Sequence, residues 1–300
     1  RLRYSPPPWN KDAENMMVDK TPLEAWLNGL LADRSVTGAS LALIRNGSVQ
    51  LACAGISDTD TGAPVNEQTV FDAASLTKPM VAYAVLQLVD AGVMGLDEPL
   101  AGFAPLIVPD DANAALVTPR HLLSHTGGLQ NLRGTQPLQM YFKPGAWFSY
   151  ASVGFTWLQT AVELRTGEPL ESTLQRLVFE PLGMQSSSLQ WQERLRERVA
   201  SPHEGGRRMD KHVAPAANAS YSLQTTAADY AAFVVAALKG DRLRPSTHQQ
   251  WLTVEKNVPK GAAIHLEHEP PETEPDIGWG LGWGIESSRG TFFQWGKMPG

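Results

Sequence analysis

The chain has 300 residues, 42% of them apolar, and a formal net charge of -6. That size suits one large domain or two interleaved lobes with a real core. The acidic balance excludes the basic surface that nucleic-acid binding requires. No apolar run approaches the roughly 20 residues of a membrane helix, so no transmembrane segment is expected.

The first residues, with Pro6, Pro7 and Pro8, read as an extended arm. A chain starting at Arg1 rather than Met fits removal of a signal peptide or simple trimming. Thr21-Pro22-Leu23-Glu24 is a helix start, with Thr21 as cap, Pro22 in the first helical position and Glu24 completing a capping box. Leu23, Trp26, Leu27, Leu30 and Leu31 then form an apolar helical stripe. Two strands are predicted over residues 39–45 and 48–54, joined by an Asn46-Gly47 hairpin turn. The one cysteine, Cys53, falls in the second strand and reads as a buried, inert thiol.

Residues 80–89 are helical. So are residues 152–166, stopped by Gly167, and residues 226–238, with Thr226 and Asp229 as a capping pair. The acidic, Pro-rich stretch 265–275 reads as an exposed loop. Strands return over residues 280–285 and 291–295, with a turn at Ser288-Arg289-Gly290. Strands at both ends with helices between predict an α+β fold, its antiparallel sheet built from both chain ends and a mostly helical lobe inserted. The expected boundaries are 1–72 with 276–300 for the sheet lobe and 73–275 for the helical lobe. A ligand cleft is expected between them.

Three short motifs carry chemistry. Ser75-Leu76-Thr77-Lys78 precedes an apolar helix, so Ser75 is expected at a helix N-terminus with Lys78 one turn along the same face. A serine hydroxyl needs a neighbour to take its proton. A desolvated lysine can do so. The motif arises about once by chance in a chain this long, so its context decides. Tyr150-Ala151-Ser152 offers a phenol that is useful beside cations or as a relay to the lysine, and Ser152 can donate to the same network. Gln294-Trp295-Gly296 falls on the last predicted strand. Acyl transfer needs two N–H donors at the developing oxyanion. Ser75 can supply one. An edge strand kept open by Gly296 can supply the other.

Together these residues resemble the serine β-lactamases and penicillin-binding proteins. They are most similar to the class C β-lactamase-like group, which includes D-amino-acid peptidases and carboxylesterases. The resemblance extends through Phe71-Asp72-Ala73-Ala74-Ser75-Leu76-Thr77-Lys78 and His121-Leu122-Leu123-Ser124-His125-Thr126-Gly127-Gly128-Leu129. It continues in Pro144-Gly145, Pro181-Leu182-Gly183-Met184 and Gly280-Leu281-Gly282-Trp283. It implies Ser75 as nucleophile, Lys78 as its proton partner and Tyr150 as general base or acid. It also implies the Ser75 and Lys297 N–H groups as the oxyanion donors. The implied reaction is hydrolysis of an ester or amide in a small-molecule or peptide substrate through a covalent acyl-enzyme. Esterase or D-amino-acid peptidase activity leads; a β-lactamase proper or a non-hydrolytic penicillin-binding sensor are the alternatives. No cofactor or metal is implied, and a periplasmic or secreted location is expected over a cytoplasmic one.

The pattern departs from the group in two places. Gln294 stands where the group carries Lys or His, so a substrate carboxylate would lose a charge-assisted contact. The group's fold continues with more strand and a terminal helix, so the sheet lobe ending at Gly300 is expected to be incomplete. His121 and His125 have the i, i+4 spacing of a zinc pair, but Leu122 supplies no metalloprotease glutamate and both read as structural.

Overall fold

The computed structural model describes residues 21–34 and 36–299; the arm expected at residues 6–8 and the Thr21 side chain lie outside them. Helix α1 (Thr21–Arg34) leads into strands β1 (Gly38–Arg45), β2 (Ser48–Asp58), β3 (Ala63–Pro64) and β4 (Phe71–Ala74). Helices α2 (Thr77–Asp90), α3 (Pro119–Leu123), α4 (Ser152–Thr166) and α5 (Leu170–Leu174) follow. Next come β5 (His203–Glu204), β6 (Arg207–Arg208), β7 (Leu223–Thr225), α6 (Ala227–Lys239) and α7 (Pro245–Trp251). Strands β8 (Lys256–Pro259), β9 (Thr273–Trp279), β10 (Gly284–Glu286) and β11 (Thr291–Phe293) close the chain. No helix among the described residues is long and apolar enough to cross a membrane.

The first hairpin forms as its turn dictates. Arg45 pairs with Ser48, which leaves a two-residue loop. Asn46 and Gly47 both take positive φ, 49° and 79°, as a type I′ turn demands. Alternation along β2 turns Ala52 and Ala54 inward, where Leu23, Leu27 and Leu31 of α1 cover them. Each buried leucine contributes about 1.5–3 kcal/mol. Leu30 is 40% exposed and does not join the stripe. Cys53 points the other way along the pleat and is half-buried rather than fully buried.

Strands from both chain ends are antiparallel, and the mixed α+β class stands. The described residues place them in two ladders, β1-β2-β3 and β11-β10-β9-β8, with no pairing between β1 and β11. Two details differ from the sequence reading. Residues 280–283 form the turn between β9 and β10, so the expected strand over 280–285 is mostly a turn. Gly282, at φ 97°, packs so close to α2 that a Cβ there would lie 2.6 Å from the Ala82 side chain. Glycines thus read as strand mark a close approach. Strand β9 begins at Thr273, inside the stretch read as loop, and crosses the expected boundary at residue 275.

Helix α2 is the axle of the molecule. Every residue from Thr77 to Leu88 is buried, as expected of a helix apolar on all sides. Tyr83 stacks on Trp251 at 5.2 Å and meets Phe233 edge-on at 5.7 Å. Helix α4 ends at Gly167, in the left-handed conformation that caps a helix. Thr226 caps α6 by accepting the Asp229 N–H. The Asp229 carboxylate instead accepts from Ser186 N–H and the Ser187 hydroxyl, which ties α6 to the preceding loop.

Candidate active site

Strand β4 and helix α2 set the position of Ser75. Asp72 pairs with Gln224 and Ala74 with Leu223, with a register shift between them. Ala74 takes φ 47°, a left-handed conformation uncommon for a residue with a side chain. Such strain costs of order 1–3 kcal/mol and persists where the surroundings enforce it. Thr77 helps enforce it. Its hydroxyl donates to the Ala74 carbonyl at 2.6 Å and accepts the Leu223 N–H at 3.0 Å. The chain thus turns sharply between β4 and α2 and presents Ser75, half-buried, one residue ahead of the Leu76 N-cap. The positive end of α2 faces it.

Lys78 lies one turn on and is fully buried. Its Nζ donates to Ser75 Oγ at 3.0 Å and to the Ser220 carbonyl at 2.7 Å. It sits 5.0 Å from the Tyr150 ring centroid and 5.6 Å from that of Phe155. No carboxylate forms an ion pair with it among the described residues. Burial without a counter-charge pushes its pKa down to about 7. A large fraction is therefore a neutral amine near pH 7, able to accept a proton from a hydroxyl at this distance.

Tyr150 occupies the opposite flank. The Gln294 amide bridges the two, donating to Tyr150 Oη at 3.2 Å and to the Ser75 carbonyl at 3.1 Å. Because a carbonyl only accepts, the amide nitrogen must face Ser75, which fixes the side chain's orientation. Burial raises the Tyr150 pKa, and the Ser75 side chain and Gln294 oppose that rise more weakly. Tyr150 is thus a neutral phenol near pH 7. Its ring lies in an aromatic shell. His125 is 4.2 Å away, Trp279 is 5.7 Å away edge-on, and Trp295 stacks at 6.4 Å.

The third motif lies just past the end of β11, in extended chain rather than on the strand itself. Gly296 passes so close to the turn that carries Ser75 that a Cβ would lie 2.6 Å from the Ala73 carbonyl and 3.0 Å from Ser75 N. Glycine is required by this contact. Neither the Ser75 N–H nor the Lys297 N–H donates to another described residue. Trp295 is 52% exposed and stacks on Phe293 at 5.7 Å. Lys297 is exposed and lines a cavity between β4 and β1, together with Asp72 and Gly38.

The fold thus gathers Ser75, Lys78, Tyr150, Gln294 and Gly296 around one point. Ser152 is the exception. Its N–H donates to Asn131 Oδ1 at 3.1 Å, and no hydrogen bond joins its hydroxyl to Lys78 or Tyr150 among the described residues. The second acceptor for Lys78 is the Ser220 carbonyl, held by the Asn218 side chain, which accepts both the Ser220 N–H and hydroxyl. Sequence reasoning missed it because a main-chain oxygen has no residue signature. His121 and His125 do not converge as metal ligands would. His121 Nδ1 caps α3 through the Thr118 N–H, and His125 Nδ1 accepts the Ala151 N–H.

The family profile described as Beta-lactamase matches residues 23–298. Esterase EstB of Burkholderia gladioli is 33% identical over 216 residues, 61% of this chain and 54% of that protein. Penicillin-binding protein 4 of Amycolatopsis lactamdurans is 33% identical over 217 residues, 67% of this chain and 57% of that one. The chain therefore spans a little over half the length of these curated relatives. The solved structure of the octameric penicillin-binding protein homologue from Pyrococcus abyssi superposes with a TM-score of 0.72 at 23% identity, covering 89% of this chain and 65% of that one. With the motif residues gathered in space and the profile matched over nearly the whole chain, this protein belongs to the beta-lactamase family.

Proposed function

We propose that the protein is a serine hydrolase that cleaves an ester or amide bond through a covalent acyl-enzyme on Ser75. One observation carries the reading: a fully buried lysine, with no counter-ion among the described residues, donates to Ser75 Oγ at 3.0 Å, its pKa down to about 7. A lysine held only for charge pairing would have a carboxylate beside it.

The reaction proceeds in two halves. Neutral Lys78 takes the Ser75 proton as Oγ attacks the substrate carbonyl carbon. The Ser75 and Lys297 N–H groups receive the developing oxyanion. As the tetrahedral species collapses, the bond to the leaving group breaks and its electron pair stays with the leaving oxygen or nitrogen. The Tyr150 hydroxyl protonates that atom and is itself reprotonated by the Lys78 ammonium. Water then repeats the sequence on the acyl-enzyme and releases Ser75.

Neutral esters are the favoured substrates. Gln294 places an amide, not a cation, at the position facing Ser75 and Tyr150. An esterase and a penicillin-binding protein are equally identical to this chain, so the choice of neutral esters rests on Gln294. The test is intact-protein mass spectrometry after exposure to a fluorophosphonate, followed by peptide mapping. A single adduct on Ser75, absent from Ser75→Ala, is expected. An adduct on another residue, or an unchanged adduct in Ser75→Ala, would overturn the assignment.

A further inference from the structure

We propose that His125 is the positioning residue for Tyr150, holding both the phenol ring and the backbone on either side of it against Ser75. This rests on the acyl-transfer reading above. The residues flanking Tyr150 are each tied to this one histidine. Ser149 donates its N–H to the His125 carbonyl at 2.9 Å, and Ala151 donates its N–H to His125 Nδ1 at 3.1 Å. Between those two bonds the imidazole lies against the Tyr150 ring, 4.2 Å centroid to centroid and inclined by 34°. The chain segment that carries the phenol is thus held at three points by one residue.

The histidine is itself fixed. It is 1% exposed and caged by Phe148, Phe155 and Trp279, with centroids 5.3 to 5.8 Å away. Its own backbone is left-handed at φ 56°. That conformation turns the main-chain carbonyl toward Ser149 while the side chain reaches Ala151. Nδ1 accepts a hydrogen bond, so it bears no proton and the ring proton is on Nε2. Burial and the nearby Lys78 charge hold the ring's pKa well below its usual value, so the ring stays neutral, and the Ala151 N–H at Nδ1 keeps its one proton on Nε2. With Nδ1 occupied, the ring cannot shuttle a proton to Tyr150 or Ser75, which excludes a general-base role.

Core packing alone does not explain this choice of residue. Nε2 is buried and has no hydrogen-bond partner among the described residues. An apolar side chain would fill the same cage without stranding a donor. What a phenylalanine or leucine cannot supply is an acceptor for Ala151, in a backbone conformation that His, Asn and Asp tolerate better than most residues.

The experiment is a cycle of His125→Ala, His125→Asn and Tyr150→Phe with the corresponding double variants. The assay is ester hydrolysis, with kcat expressed per active site titrated to completion with a fluorophosphonate, so that unfolded protein is not counted. Displacing Tyr150 by an ångström or less is expected to lower kcat about 100-fold in His125→Ala, with KM changed less than about threefold. Asn carries an acceptor at the same branch and tolerates the left-handed backbone, so His125→Asn is expected to regain about tenfold of that loss. In the Tyr150→Phe background the His125→Ala change is expected to cost less than about threefold, because there is no hydroxyl left to position. If His125→Ala yields no titratable sites, His125→Asn is compared in the two backgrounds by the same criterion. Equal losses with and without the Tyr150 hydroxyl overturn the role of His125 alone, as does an Asn variant no faster than Ala. A Tyr150→Phe enzyme as fast as the parent overturns the role of Tyr150, and that of His125 with it.

Discussion

On one side of Ser75 stands Lys78, three residues away on the same chain, fully buried and bonded to a hydroxyl and a carbonyl. On the other stands Tyr150, bridged to Ser75 by Gln294, 144 residues further along, and covered by the half-exposed Trp295. The lysine flank is dry and local, made by one turn of α2 and one loop. The tyrosine flank is assembled from remote segments and has an edge in water. Desolvation acts on both but in opposite senses. It strips the proton from an ammonium and keeps the proton on a phenol. One environment therefore yields a base and a neutral acid side by side, and the two flanks are separable by substitution.

The largest effect is expected on the lysine flank. Lys78→Met should lower kcat/KM for a nitrophenyl ester by about 10⁴-fold, the upper range for a general acid–base group. The same change should stabilise the fold. The Lys78 pKa of about 7 in the folded protein lies below the 10.5 of a free lysine. Between those two values the unfolded chain holds a proton that the folded chain lacks, so stability rises with pH across that window. At pH 7 the unfavourable burial is on the order of 4 kcal/mol. Its two hydrogen bonds return about 1 kcal/mol each. Lys78→Met is thus expected to be about 2 kcal/mol more stable than the parent at pH 7 in urea denaturation, with the gap closing and reversing toward pH 10. A variant less stable than the parent at pH 7 would show that Lys78 is not desolvated in this way. For the parent, kcat/KM should fall about tenfold per unit of pH below about 7, as Lys78 takes up the proton that disables it as a base.

On the tyrosine flank a smaller loss is expected. Tyr150→Phe keeps the ring in its aromatic shell and removes only the hydroxyl, so a loss of about 100-fold in kcat is expected. Combined with Lys78→Met, it should cost far less than the product of the two, since both serve one proton path. Losses that multiply in full in the double variant would show the flanks working independently.

The same contrast decides what was legible in the sequence. The lysine flank is local, and a three-residue spacing before an apolar helix was enough to place Lys78 beside Ser75. The Asn46-Gly47 turn and the Thr226 cap were legible for the same reason, since their hydrogen bonds close within four residues. The tyrosine flank is made of contacts across the chain. The Gln294 bridge and the His125 stack depend on tertiary packing, as does the Ser220 carbonyl that reaches Lys78 from 142 residues away, and no periodicity encodes them. His125 was read as structural because Leu122 leaves its i, i+4 spacing with His121 without the glutamate of a metalloprotease. Turns dominated by glycine misled in the other direction. Residues 280–283 read as strand because Leu281 and Trp283 are apolar, yet they are buried in a turn against α2.

The smallest expected effect concerns Gln294, where both flanks meet. Its nitrogen donates to Ser75 O and Tyr150 Oη, and its Oε1 is buried with no partner among the described residues. A substrate carboxylate brought to this position would meet a neutral donor already committed to two acceptors. Lys297 is exposed at the cavity between β4 and β1 and does not join the Tyr150–Gln294 contact. A charge-assisted bond contributes about 1.5–3 kcal/mol against about 1 for a neutral one, a difference on the order of tenfold. Gln294→Lys is therefore expected to raise penicillin acylation relative to ester hydrolysis by about tenfold in kcat/KM. A second cation beside Lys78 should also lower the Lys78 pKa further and shift the pH profile toward acid. The two readouts are independent. A higher penicillin-to-ester ratio with an unmoved profile would place the new ammonium at the substrate and away from Lys78. A lower ratio would mean that Gln294 does not limit carboxylate binding, and the preference for neutral esters would have to be assigned to another residue in the cleft.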